Sequence, residues 1–256
     1  MEPAITCHFD NSNSYYVTIP GSYNMQKTNQ NGCSAMANNP VLVSEYTNAE
    51  IIDLAGKAVI PGLVDSHAHL LWAGDRSREV SWKQQGLTYR EIASKGGGIN
   101  ATVKPTRDSN DEELMQFGIE RMLEALRNGT THMEAKSGYG LDTKTELRLL
   151  SIGKQLSEIQ HLPTLDLTWL GAHAAPPDSN ISDYCEEILS EQLPAIIEQG
   201  IARSADVFCE PGWFTIEDTE EICKEAKRAG LSIRLHVDEF ADGNGLELAA
   251  ELGAVT

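Results

Sequence analysis

At 256 residues the chain is long enough for one large α/β barrel or two average domains. Its hydrophobic content of 41 % suits a sizeable core, and no run of about eighteen apolar residues suggests a membrane span. The formal net charge of −18 argues against nucleic acid or an anionic membrane as partners, since both need clustered cations, and any anionic ligand must be drawn in by a cation set against the global field.

The N-terminus, MEPAITCHFDNSNSYY, lacks the basic-then-apolar order of a secretory signal. The five cysteines (Cys7, Cys33, Cys185, Cys209, Cys223) are scattered without a C-x-x-C pair, as expected of free thiols in a reducing cytoplasm. Residues 1–40 are rich in Asn, Ser, Thr, Gly and Gln, so 1–57 is expected to be a poorly ordered segment with a remnant of a small β unit. From Val41 the texture changes, and the apolar run Ala58-Val59-Ile60, followed by Pro61-Gly62-Leu63-Val64-Asp65, reads as a strand with polar residues at its end.

Beyond it the pattern alternates. Leu114, Met115, Ile119, Met122, Leu123 and Leu126 form a helical stripe over 111–128, stopped at Gly129. Strands are expected at 131–137, 165–171, 205–208 and 233–237, and helices at 143–158, 183–198, 216–229 and about 244–252. Such alternation implies a parallel sheet with right-handed crossovers, and five strands fall short of the eight that close a (β/α)8 barrel. The last residues, Ala254-Val255-Thr256, look like the opening of another strand. The expected fold is therefore α/β, an incomplete TIM barrel over 58–256.

Polar residues gather just after the strands, at the rim where barrels and open parallel sheets alike carry their chemistry. His67-Ala68-His69 places two imidazoles on one side of a strand end, so both can reach one ion. His236, ending a later strand, offers a third ligand and leaves room for water or substrate. Asp238 and Glu239 follow; Glu239 can take a proton from water, while Asp238 is open to a ligand, supporting or solvated role. His173 is placed to donate to a substrate, Tyr139 to present its hydroxyl between two glycines, and Arg76 to form paired hydrogen bonds with a carboxylate. His132 reads as structural, and His8 and His161 have no supporting context. Gly96-Gly97-Gly98 and Ser137-Gly138-Tyr139-Gly140 lack phosphate-loop spacing and read as tight rim bends.

The segment from Asp53 to His69, with Pro61-Gly62-Leu63-Val64-Asp65-Ser66-His67-Ala68-His69 at its end, resembles the barrel entry of the amidohydrolase superfamily. Trp72–Glu79, Gly96–Ile99, Glu134–Leu141, Gly171–Pro177, Asp206–Glu210 and His236–Glu239 narrow the resemblance to the imidazolonepropionase family over residues 50–256. The resemblance implies a small N-terminal β-sandwich unit, here a remnant, beside the barrel. It implies hydrolysis of the ring C–N bond of 4-imidazolone-5-propanoate to N-formimidoyl-L-glutamate, in histidine degradation, on one zinc or iron ion. His67, His69 and His236 would bind the metal; Glu239 would activate water and contact the ring; Arg76, Tyr139 and His173 would hold an anionic small molecule. Family members are usually cytoplasmic and often dimeric, so a cytoplasmic homodimer is expected. A further aspartate ligand and a catalytic histidine lie on later strands in the family and are missing here. The chain is accordingly expected to be a fragment, a truncated reading frame or an inactive product. The rival readings are another cyclic-amide amidohydrolase or deaminase, and an inactive remnant that binds a partner.

Overall fold

The computed structural model describes residues 62–256 together with the backbone of two short strands, β1 (Thr6–Phe9) and β2 (Tyr15–Thr18), which pair antiparallel. The chain divides into two compact units, Met1–Gly62 and Leu63–Thr256. The rest of the N-terminal segment, with the apolar run at 58–60, lies outside the described residues.

The second unit is a five-stranded parallel sheet in sequence order: β3 (Leu63–Ala68), β4 (Thr130–Lys136), β5 (Thr164–Ala172), β6 (Ser204–Cys209) and β7 (Ser232–Val237). The first strand thus begins after Pro61-Gly62, and His69 sits one residue beyond its end. The sheet is curled. Four strand spacings of about 4.8 Å would hold β3 and β7 about 19 Å apart in a flat sheet, yet His67 on β3 meets His236 on β7 at 3.0 Å between their Nε2 atoms. Val255 N–H donates to Ile233 O and Leu235 N–H to Thr256 O, so the last two residues already pair alongside β7.

Between β3 and β4 lie four helices, α1 (Arg78–Gln84), α2 (Tyr89–Ser94), α3 (Asn100–Asp108) and α4 (Asp111–Arg127), of which the apolar periodicity signals only the last. Asn110 caps α4 in a reciprocal box with Glu113, and Gly129, at φ +95°, ends it where the sequence places a stop. Next come α5 (Thr143–Leu156), α6 (Ile181–Glu187), α7 (Leu193–Gln199), α8 (Ile216–Arg228) and α9 (Gly245–Leu252). The single helix expected over 183–198 is two helices joined by a π-helical segment, Ile188–Gln192. Gln192, fully buried at the end of that wider turn, accepts from Trp169 Nε1 and donates to the Tyr184 hydroxyl, so the segment serves buried polar groups that need partners.

Side-chain alternation gives β4–β7 two faces. Odd-numbered residues such as Met133, Leu167, Trp169, Ala205, Val207 and Ile233 join Leu149, Leu156, Ile222 and Ala226 in the core between sheet and helices. Even-numbered residues line the concave side, and there the usual branched apolar filling of a barrel gives way to charge. Lys136 Nζ lies 2.7 Å from Glu134 Oε1 and 2.6 Å from Asp206 Oδ2, and Arg234 pairs with Glu134 and Asp166. Lys136, Glu134 and Asp206 are almost wholly buried, so this interior holds together only because each charge has a partner.

Candidate active site

The concave side opens at the C-terminal ends of the strands into a cavity of about 380 Å³. Its floor is histidine. His67, His69 and His236 each bring one ring nitrogen within 4.8 Å of the others, the single three-residue cluster of this kind among the described residues. Tetrahedral ligands at about 2.0–2.1 Å from one ion stand about 3.4 Å apart, so a small rotamer adjustment closes this set around a cation. Two observations favour one. His67 and His236 point Nε2 at Nε2, and His69 Nδ1 is buried without a hydrogen-bond partner. Burial, with His173 and the other imidazoles nearby, drives the His69 pKa down to about 2. Burial and His236 also lower His67. Neutral imidazoles are the form that ligates metal.

His236 is oriented from below. Its Nδ1 meets Asp206 Oδ1 at 3.1 Å, which directs Nε2 to the cluster. Burial alone would raise the Asp206 carboxyl, but His236 and Lys136 hold it down to about 2.

His173, after β5, stacks on His69 at 5.2 Å between ring centroids. Its Nδ1 lies 2.9 Å from the Gly138 carbonyl, which can only accept, so Nδ1 carries the proton. Burial lowers its pKa to about 4 despite that bond. A neutral ring protonated there presents Nε2 as an acceptor, which corrects the expectation that His173 donates to a substrate. Gly138, at φ +97°, is irreplaceable in this arrangement: a Cβ would sit 2.5 Å from Leu170 O and 3.1 Å from His173 Nδ1.

The other expected residues come from loops. Arg76 and Glu239 line the cavity beside the histidines. Tyr139 is buried and packs edge-on against His69 and His173, under the imidazoles rather than on the cavity lining, with Arg76 nearby. Asp238 is a loop cap. Its carboxylate accepts from Gly243, Gly245 and Leu246 N–H, fixing the entry to α9, and those bonds lower its pKa. His132 meets Thr164 at the far end of its strand, as expected of a structural residue.

Sequence reasoning gave no role to the aromatic wall. Phe208, Trp213, Tyr89 and Phe240 pack together on one side of the cavity, with Tyr89 and Phe240 stacked at 5.2 Å and Phe208 edge-on to His236 at 5.5 Å. Four aromatics from three separate stretches of the chain carry no common spacing that a motif could flag. Glu210 was also without a role; buried behind Glu239, it accepts from the backbone N–H groups of Glu239 and Phe240.

Comparison with known proteins fits this geometry. Residues 50–133 match the amidohydrolase family model. The fold is similar to that of guanine deaminase from C. acetobutylicum, with a TM-score of 0.50 and 16 % identity over 98 % of this chain and 58 % of that one. The curled five-stranded half-barrel is thus similar to part of an amidohydrolase barrel, and that likeness suggests a divalent metal ion.

Within that class the chain is similar to imidazolonepropionases. It is 44 % identical to that of Alkaliphilus metalliredigens over 82 % of this chain and 50 % of the relative. It is also 44 % identical to that of Shewanella sediminis over 78 % of this chain and 49 % of the relative. The chain thus spans about half the length of the curated relatives it matches. No helix among the described residues is long and apolar enough to cross a membrane.

Proposed function

We propose that this chain forms the metal-binding and substrate-binding part of a cytoplasmic hydrolase that opens the ring of 4-imidazolone-5-propanoate to give N-formimidoyl-L-glutamate. The observation that carries the reading is the convergence of His67, His69 and His236 in one cavity with Arg76 and Glu239. The 44 % identity to imidazolonepropionases supports this substrate among cyclic amides.

In this reading the three imidazoles hold one zinc or iron ion, with Asp206 setting the His236 tautomer. Such an ion supplies Lewis acidity and brings the pKa of water toward about 7. Glu239 takes the proton of the attacking water and returns it to the departing ring nitrogen, so that the acyl C–N bond breaks as a C–O bond forms. His173 accepts from a ring N–H through Nε2. Arg76 holds the propanoate tail, and the aromatic wall covers the planar ring and thins the water around it. A homodimer, which the family resemblance implies, completes the proposal.

The test is hydrolysis by this chain, alone and joined to the C-terminal half of the Alkaliphilus relative, following loss of the imidazolone absorbance. The joined chain is expected to consume imidazolonepropanoate and to leave guanine and other cyclic amides untouched. Turnover confined to those other rings defeats the reading.

A further inference from the structure

We infer that Glu79 is the positioning residue that turns Arg76 into a carboxylate receptor, and that the Gly96–Gly98 segment holds Glu79 in place. The inference rests on the proposed reading of Arg76 as the anion-binding group. Arg76 Nε donates to Glu79 Oε1 at 2.8 Å and Nη2 to Glu79 Oε2 at 2.9 Å, a paired contact along one edge of the guanidinium. A guanidinium has a second edge able to make the same paired contact, and engaging the first fixes the plane and direction of the other. Arg76 lines the cavity while Glu79 is only 4 % exposed, so the carboxylate works from behind.

Glu79 is itself locked. Its Oε1 also accepts from Gly98 N–H at 2.8 Å. Gly97 passes so close that a Cβ there would lie 3.1 Å from Glu79 Oε1 and 2.7 Å from Ile92 Cγ2. Gly98 makes the turn at φ +65°. Gly97 and Gly98 thus have a task that neither phosphate binding nor simple flexibility describes: they bring a backbone N–H onto the carboxylate that aims the arginine. A pre-aimed guanidinium loses little side-chain freedom when an anion arrives, which is where its contribution to affinity comes from.

The experiment measures binding of 3-(imidazol-4-yl)propanoate and of its neutral propanamide to this chain by calorimetry, with one equivalent of zinc throughout. The two probes share a ring, so their ratio reports the carboxylate alone. Wild type is expected to prefer the carboxylate by about tenfold or more, in the range of a charge-assisted hydrogen-bond pair. Glu79→Gln is expected to lose most of that preference, while leaving propanamide binding and zinc affinity unchanged. In an Arg76→Lys background Glu79→Gln is expected to change the ratio no further, because Glu79 acts through Arg76; a residue that merely supports the fold would lower both probes in either background. A ratio still near tenfold in Glu79→Gln overturns the inference and leaves the proposed function standing. Wild type without any preference removes the anion pocket, and the inference with it. Should Glu79→Gln not fold, wild type alone decides through ¹⁵N spectra. The Arg76 Nε–H is expected to hold its shift on adding the propanoate while the Nη signals move, and displacement of the Nε–H would sink the idea.

Discussion

The cavity has two halves built on different terms. The imidazole half hangs from the ends of β3, β5 and β7, whose ladders set each position, while Asp206 on the neighbouring β6 sets the orientation of His236. The other half, with Arg76, Tyr89, Trp213, Glu239 and Phe240, stands on loops and a short helix and has no ladder to position it. What replaces the ladder is a set of buried or loop-closing carboxylates that collect backbone N–H groups. Glu79 takes Gly98; Glu146 takes Gly138, Gly140 and Leu141; Glu210 takes Glu239 and Phe240; Asp238 takes Gly243, Gly245 and Leu246. A sheet positions chemistry for nothing beyond its own hydrogen bonds, whereas a loop rim needs a dedicated acceptor for each turn.

That contrast can be attacked from either half. The largest effect is expected on the strand side: His236→Ala removes one of the three proposed ligands, and the chain should no longer retain a stoichiometric ion after gel filtration, as measured by elemental analysis. Retention of one ion per chain would mean that the cluster is not the metal centre. Asp206→Asn keeps the ligands but weakens the acceptor on His236 Nδ1, so metal affinity should fall about 10–100-fold in a competition titration against a chelator.

On the loop side, Glu146→Gln keeps one oxygen for Gly140 and Leu141 but turns an amide toward Gly138 N–H. Unfolding free energy is expected to drop by about 1–3 kcal/mol in a denaturant titration. A variant as stable as wild type would show that the Ser137–Leu141 turn does not depend on its acceptor. The smallest effect concerns pH. Burial pushes the Glu79 carboxyl up, but Arg76 and Gly98 N–H outweigh it and leave the pKa below the usual 4.5. A depressed carboxylate contributes its stabilisation in full above its unfolded value, and that contribution is lost as pH falls through the folded one. Hydrogen exchange at Gly98 N–H should therefore stay protected at pH 4.5 and weaken only below it; loss of protection at pH 5–6 would contradict the pairing.

The same contrast explains what the sequence made legible. His67, His69 and His236 stood out because strand periodicity and an H-x-H spacing put them at a common rim, and the five parallel strands followed from the β/α alternation. Three of the four helices between β3 and β4 escaped because α1 and α2 are only 7 and 6 residues long and α3 contains Pro105, so none displays a sustained apolar stripe. The charged interior was readable in principle: Glu134 and Lys136, Asp166 and Thr168, Asp206 and Phe208, Arg234 and His236 alternate with apolar neighbours, a period-two signal that runs against the branched apolar filling usual in barrels. Glu79, Glu210 and the aromatic wall were not readable, since their meaning lies largely in contacts between separate segments of the chain, as is common in loop-built sites.

The carboxylate clasps bear on how the molecule looks to an approaching anion. A formal charge of −18 suggests a repulsive surface, yet apart from Glu239 the acidic groups around the cavity are answered locally: Glu79 faces a guanidinium, Asp206 an ammonium and an imidazole, and Glu210 and Asp238 a row of amide dipoles. Negative ligands that reach the rim therefore meet a field far milder than the bulk tally implies. Far from the rim the acidic excess is screened over about 8–10 Å at ordinary salt, so the charge that keeps the protein dispersed need not keep its ligand out.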